Sequence, residues 1–76
     1  MTIQAFEKAL KADPFRPFVL HMANGRTHRV WHRDYVARSP AGRTVTVYDD
    51  DEGASVLDVL LINEIEIETP EREEAA

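Results

Sequence analysis

Cysteine is absent from all 76 residues. That excludes a disulfide framework, a thiolate nucleophile and Cys-bound zinc. Glycine and proline are scarce, three and four respectively, so each marks a place where the backbone must turn or stop. No apolar run approaches the roughly 20 residues of a membrane span. The opening Met-Thr-Ile-Gln-Ala lacks the basic n-region and apolar stretch of a secretory signal. These absences predict a cytoplasmic protein with no membrane contact and no cofactor.

What is present is a small chain with unevenly placed charge. A domain of this size buries only about 60% of its unfolded surface, so association with a copy of itself or with a protein partner is expected. The net charge is −5. Residues 14–43 hold six Arg against Asp34 alone, whereas residues 44–76 hold eleven acids against Arg72. A basic half therefore precedes an acidic half. Either the two neutralise each other across a sheet, or the Arg-rich part faces an anionic partner.

The elements follow from spacing. Thr2 can cap a helix in which Ile3, Phe6, Ala9 and Leu10 recur at helical intervals, ending near Asp13 because Pro14 disfavours helix before it. Phe18–Ala23, Asn24-Gly25 and Arg26–Trp31 read as a hairpin with a two-residue type I′ turn. That register sets Phe18 opposite Trp31 and His21 opposite His28. It puts Phe18, Leu20, Met22 and Trp31 on the core face. Further strands are predicted at 35–38, 44–48, 55–57 and 64–68. Ser39-Pro40-Ala41-Gly42 forms a turn, Asp49–Gly53 a solvated loop, and Val59–Ile62 either a buried strand or a tight buried turn. The predicted core is Ile3, Phe6, Leu10, Phe18, Leu20, Trp31, Val45, Val47, Leu57, Leu61, Ile65 and Ile67. One helix followed by short strands predicts a mainly β, strongly bent antiparallel barrel of about five strands. Residues 1–70 form one domain, and 71–76 are expected to be an acidic, disordered tail.

Several residues invite chemical readings. His21 and His28, facing each other across the hairpin, could bind a metal, but two ligands do not make a site. His32 with Asp34 has the makings of an oriented general base, yet no Ser or Thr sits in a recognisable nucleophile setting. Asp49, Asp51 and Gly53 look like the opening of a calcium loop. Its sixth and twelfth positions would hold Ala54 and Leu60, not Gly and Glu. No catalytic, cofactor-binding or metal-binding residue is therefore assigned, and no enzymatic activity is expected. Arg26, His28, Arg33, Arg38 and His21 form the candidate surface for an anionic partner, and Arg26, Arg29, Arg33 and Arg38 with Trp31 and Tyr35 have the composition of a nucleic-acid patch. The acidic second half, and the expected place of Trp31 in the core, work against nucleic acid as that partner.

Two resemblances add to this. The segments DPFRPFVLHMANGR, HRDYVARSPAGRTVTVYD and VLDVLLINEIEI resemble a family of short uncharacterised bacterial proteins. That family shares a D-P-F-x-P-F entry, a D/N-G hairpin, an S-P-x-G-R-T turn and an L-D-x-L-L run. The resemblance spans nearly the whole chain and implies a shared fold without a function. The layout is also similar to the small SH3-like and Sm-like barrels, including the bacterial Sm-like RNA chaperone. Counterparts are the N-terminal helix, the Asn24-Gly25 hairpin, the Tyr35-Val36 segment and the short turn at Val59–Ile62. Asp58-Val59 stands where that chaperone has a Lys-His pair. This likeness implies ring or dimer formation through strand edges, with RNA binding as the alternative. The reading is a homo-oligomeric, non-enzymatic interaction or assembly module.

Overall fold

The computed structural model describes residues 1–68, so the expected tail at 71–76 lies outside the described residues. The helix α1 covers Ile3–Leu10, and the Thr2 side chain accepts a hydrogen bond from the Ala5 amide at 3.2 Å. This satisfies one of the amide groups that a helix start leaves unpaired. The stripe expected from spacing is the packed one: Phe6 is fully buried, with Ile3, Ala9 and Leu10 partly buried against the core. The helix stops at Leu10 rather than near Asp13. Arg33 explains how the end is tied down: it donates to the carbonyls of Leu10 at 3.2 Å and Ala12 at 2.8 Å. Those are acceptors that a helix C-terminus leaves open.

Six strands follow: β1 (Phe18–Met22), β2 (Thr27–Val30), β3 (Val36–Arg38), β4 (Thr44–Tyr48), β5 (Ala54–Asp58) and β6 (Ile62–Ile67). They form two three-stranded antiparallel sheets, ordered β2-β1-β6 and β3-β4-β5, rather than one closed barrel of five strands. The extra division comes at Arg33–Tyr35, where a 3-10 turn capped by His32 separates β2 from β3. A second 3-10 turn, Val59–Leu61, connects β5 to β6. No helix among the described residues is long and apolar enough to cross a membrane.

The first hairpin corrects the predicted register. Phe18 pairs with Val30, Leu20 with His28 and His21 with Thr27. The loop has three residues, not two. Met22 N–H donates to the Arg26 carbonyl at 2.9 Å and Gly25 N–H to the Met22 carbonyl at 3.0 Å. Only Gly25 takes a positive φ, of 88°. Asn24 instead accepts from the Arg26 amide through its side chain at 2.9 Å. A three-residue loop with a left-handed third residue needs one positive φ, whereas type I′ needs two. Because strand side chains alternate, this one-residue slip moves Trp31 out and Val30 in. Val30 is fully buried, and Trp31 is 46% exposed with the Arg29 guanidinium 4.1 Å above its ring. The native emission of Trp31 should therefore be red-shifted and readily quenched by acrylamide. A blue-shifted, protected emission would place Trp31 in the core after all.

The core joins both sheets and the helix: Phe6, Phe18, Leu20, Met22, Val30, Val45, Val47, Leu57, Val59 and Ile62. The Phe6 and Phe18 rings meet edge to face at 6.0 Å, a favoured aromatic geometry. The run Val59–Ile62 resolves into the tight turn, with Val59 and Ile62 buried. Leu61, predicted to be core, is 52% exposed because a 3-10 turn cannot point three successive side chains inward. In β6, Ile62, Ile65 and Ile67 all lie beside core residues of β1, although Ile62 and Ile65 are three apart. A bulge opposite His21/Met22 absorbs the odd residue. Ile65 packs on the core, but Ile67, at the end of the strand, remains 44% exposed.

Candidate interaction surface

The sheet register decides what the Arg- and His-rich hairpin can do. His21 and His28 do not face each other: His28 is opposite Leu20 on the core side, and His21 is on the outer side. The cross-strand metal pair is thereby lost. Among the described residues no group of three or more His, Asp or Glu is placed to hold a metal. His21 Nε2 instead lies 2.9 Å from Glu66 Oε1 on β6. Arg29 donates to Glu68 at 2.6 Å. The basic hairpin and the acidic last strand thus neutralise each other across β1, as opposite charges on one sheet face do.

Two further candidates are also committed within the chain. Arg33 holds the end of α1 and rests over the Phe15 ring at 5.4 Å. Arg38 reaches Glu7 of the helix at 2.9 Å and donates to the Ser39 and Pro40 carbonyls, each at 3.1 Å. His32 accepts from the Asp34 amide through Nδ1 at 3.3 Å, which caps the turn, and the Asp34 carboxylate lies 3.5 Å from the same nitrogen. Of the five residues proposed for an anionic partner, His21, Arg33 and Arg38 serve internal contacts. Arg26 and His28 stay together at the hairpin tip.

Arg26 and His28 face a groove of about 370 Å³ across from β5, with Met22, Leu57 and Leu61 also lining it. Its other wall is Ser55 to Asp58. Here the structure exposes what sequence reasoning missed. Val56 is 70% exposed, Leu60 75% and Leu61 52%, all on β5 and the turn after it. Val56 and Leu61 line the same groove, and exposed aliphatic side chains gathered in this way mark a contact surface more often than a solvent face. The missed signal was Val56-Leu57 followed by Val59-Leu60-Leu61-Ile62: more apolar residues than one short strand and one turn can bury.

A second cleft, of about 370 Å³, lies between Asp34, Tyr35, Tyr48, Asp49, Asp50 and Glu52. The Tyr35 hydroxyl donates to Asp50 Oδ1 at 3.1 Å. That hydrogen bond and the adjacent carboxylate charge raise the Tyr35 pKa above its ordinary value. The Asp49 and Asp51 carboxylates interact, and this raises the pKa of Asp49 and lowers that of Asp51. Asp51 also accepts from the Gly53 amide at 3.1 Å, so this loop uses its carboxylates to close itself. It repeats the geometry of the first hairpin loop. Asp49 N–H donates to the Gly53 carbonyl at 3.0 Å, and Glu52 holds the left-handed position at φ 71°.

β5 is an edge strand with β4 as its ladder neighbour. The Asp49–Gly53 bond fixes which β5 groups face inward. In an antiparallel ladder, bonded and non-bonded pairs alternate, so Ser55 and Leu57 bond to β4. The N–H and C=O of Ala54 and Val56 then point away from the sheet. No protein-family model matches the chain, and neither a curated protein nor a solved structure matches it.

Proposed function

We propose that this chain is a non-enzymatic protein-interaction module that works as a homo-oligomer. The observation that carries the reading is the coincidence, on β5 and its following turn, of an open strand edge with exposed Val56, Leu60 and Leu61. Unpaired edges recruit strands unless charge, proline or cover blocks them, and exposed aliphatic side chains supply the driving force. The element order supports an SH3-like or Sm-like layout: helix, hairpin, a strand path broken at Arg33–Tyr35, and a 3-10 turn linking the last two strands. Small folds of this kind that lack disulfides gain stability by assembling. Light scattering behind a sizing column is the test. A mass above one chain is expected at high micromolar concentration. A monomeric mass there, at both low and high salt, would remove the proposal.

A second reading, RNA binding, gains from one feature. Trp31 is exposed with Arg29 stacked on it, which is a platform on which a base could stack. Against it, Glu66 and Glu68 lie beside the same hairpin, and Arg29 is already paired with Glu68. Titration of labelled single-stranded RNA separates the two. Binding that weakens steeply with salt favours the second reading, and none at low ionic strength removes it.

A further inference from the structure

We propose that the second copy docks edge to edge on β5 across a two-fold axis, β5 antiparallel to β5 and centred on Val56. This inference rests on the self-association reading and specifies its geometry. Four strands lie at sheet edges: β2, β6, β3 and β5. Three of them are less suited to self-pairing: β6 holds Glu64 and Glu66, which face each other in a pair centred on Ile65, β3 is only three residues long, and β2, of four residues, has Arg29 tied to Glu68 and stacked on Trp31. Like charges placed opposite each other destabilise a strand pair. β5 is uncharged from Ala54 to Leu57, and its terminal Asp58 carboxylate is engaged by the Leu60 amide at 2.9 Å.

Centring on Val56 gives full overlap of the five residues of β5. Val56 then faces Val56, and each Asp58 faces an Ala54, so no like charges are opposed. The outward N–H and C=O groups of Ala54 and Val56 become paired, which leaves fewer dangling edge groups. Leu61 lies beside the seam, and Arg26 and His28 form the far wall of the groove that the incoming strand would enter.

Charge supplies a second, independent argument. The Arg43 carbonyl accepts from the Val59 amide at 3.0 Å, so Arg43 sits at the C-terminal end of β5. Its guanidinium has no hydrogen-bond or ion-pair partner among the described residues. The two-fold axis brings the N-terminal end of the other β5 to this place, and with it the loop bearing Asp50, Asp51 and Glu52. Each Arg43 then meets the acidic loop of the other copy, so the contact occurs twice in the dimer. A contact related by a two-fold axis closes on itself, so it gives a dimer and not an open filament. Pairing five residues per strand makes a small interface of the transient class.

Because the chain has no cysteine, single-cysteine variants report proximity cleanly. The full chain carrying Val56→Cys should form a covalent dimer under mild oxidation with copper-phenanthroline at high micromolar concentration. The Cα separation across an antiparallel pair lies within disulfide range. Glu64→Cys, on the β6 edge, should not. Arg43→Glu should weaken the dimer about tenfold at low salt, the size expected for losing two solvent-exposed ion pairs. Glu52→Arg in the same chain should restore part of that loss. If Val56→Cys cross-links only when mixed with Glu64→Cys, the β5–β5 contact is overturned while self-association stands. If light scattering shows a dimer that Val56→Cys fails to trap, the two-fold geometry also falls. A monomeric mass throughout removes both proposals.

Discussion

Phe18→Ala should destabilise the fold by about 3–5 kcal/mol. Phe18 is fully buried and sits where three parts of the molecule meet. Its ring contacts Phe6 of α1 at 6.0 Å and Phe15 of the connecting segment at 5.9 Å. Across the sheet it pairs with Val30 on one side and Ile67 on the other. Truncation removes the transfer free energy of the ring and leaves a cavity that a tightly connected sheet cannot collapse into. Domains are stable by roughly 0.05–0.15 kcal/mol per residue, which for a chain this short means about 4–11 kcal/mol in all. The substitution therefore consumes much or all of it. Urea titration followed by circular dichroism checks this. A midpoint close to that of the unsubstituted protein would mean that Phe18 is not the junction of helix and sheets.

Gly42→Ala should cost about 2–3 kcal/mol, clearly more than the same change at Gly25. Both glycines have left-handed φ, 74° and 88°. An alanine there carries about 1–2 kcal/mol of backbone strain at either site. At Gly25 nothing lies within 4 Å of a new Cβ, so the cost stops there. At Gly42 the Cβ would fall 3.0 Å from Ile3 Cγ1 and 3.2 Å from its Cγ2. Ile3 is in the first turn of α1 and packs on the core, so it cannot step aside without shifting the helix. Gly42 is thus where the β3–β4 turn lies directly against the helix. Matched urea midpoints for the two variants measure the difference. Equal losses would contradict the close approach.

Much of the fold was legible from local patterns because local chemistry determines it. Thr2 caps α1, the stripe from Ile3 to Leu10 faces inward, and the alternation of Thr44–Tyr48 marks a strand with Val45 and Val47 buried. The hairpin was visible at Asn24-Gly25, but its register was not. A two-residue loop and a three-residue loop both place a glycine in a left-handed position. What distinguishes them is whether Val30 or Trp31 fills the space opposite Phe18, and that depends on the helix and the second sheet. The same applies to Leu61: a run of four apolar residues does not say which two a 3-10 turn will bury.

The candidate surface was less legible, for a physical reason. Arg33 and Arg38 were grouped with Arg26 by composition, but their partners lie in the N-terminal segment, at Leu10, Ala12 and Glu7. Such pairings across the chain leave no local trace. Edge strands are equally non-local. β4 carries no charge, which in a sequence alone reads as an edge left without protection. It proves to be the central strand of its sheet, where charge is not needed to block pairing. β5, which looked like an ordinary short strand, is the edge left open.

Amide hydrogen exchange on β5, followed as a function of concentration, tests the central claim most directly. In a single chain the Ala54 and Val56 amides point away from β4 and lack a ladder partner, so they should exchange quickly, while Ser55 and Leu57 are protected. If a second copy adds to this edge, the Ala54 and Val56 amides should become protected as concentration rises from low to high micromolar, with Ile65 and Ile67 on β6 unchanged. Ala54 and Val56 amides that exchange equally fast at every concentration would contradict it.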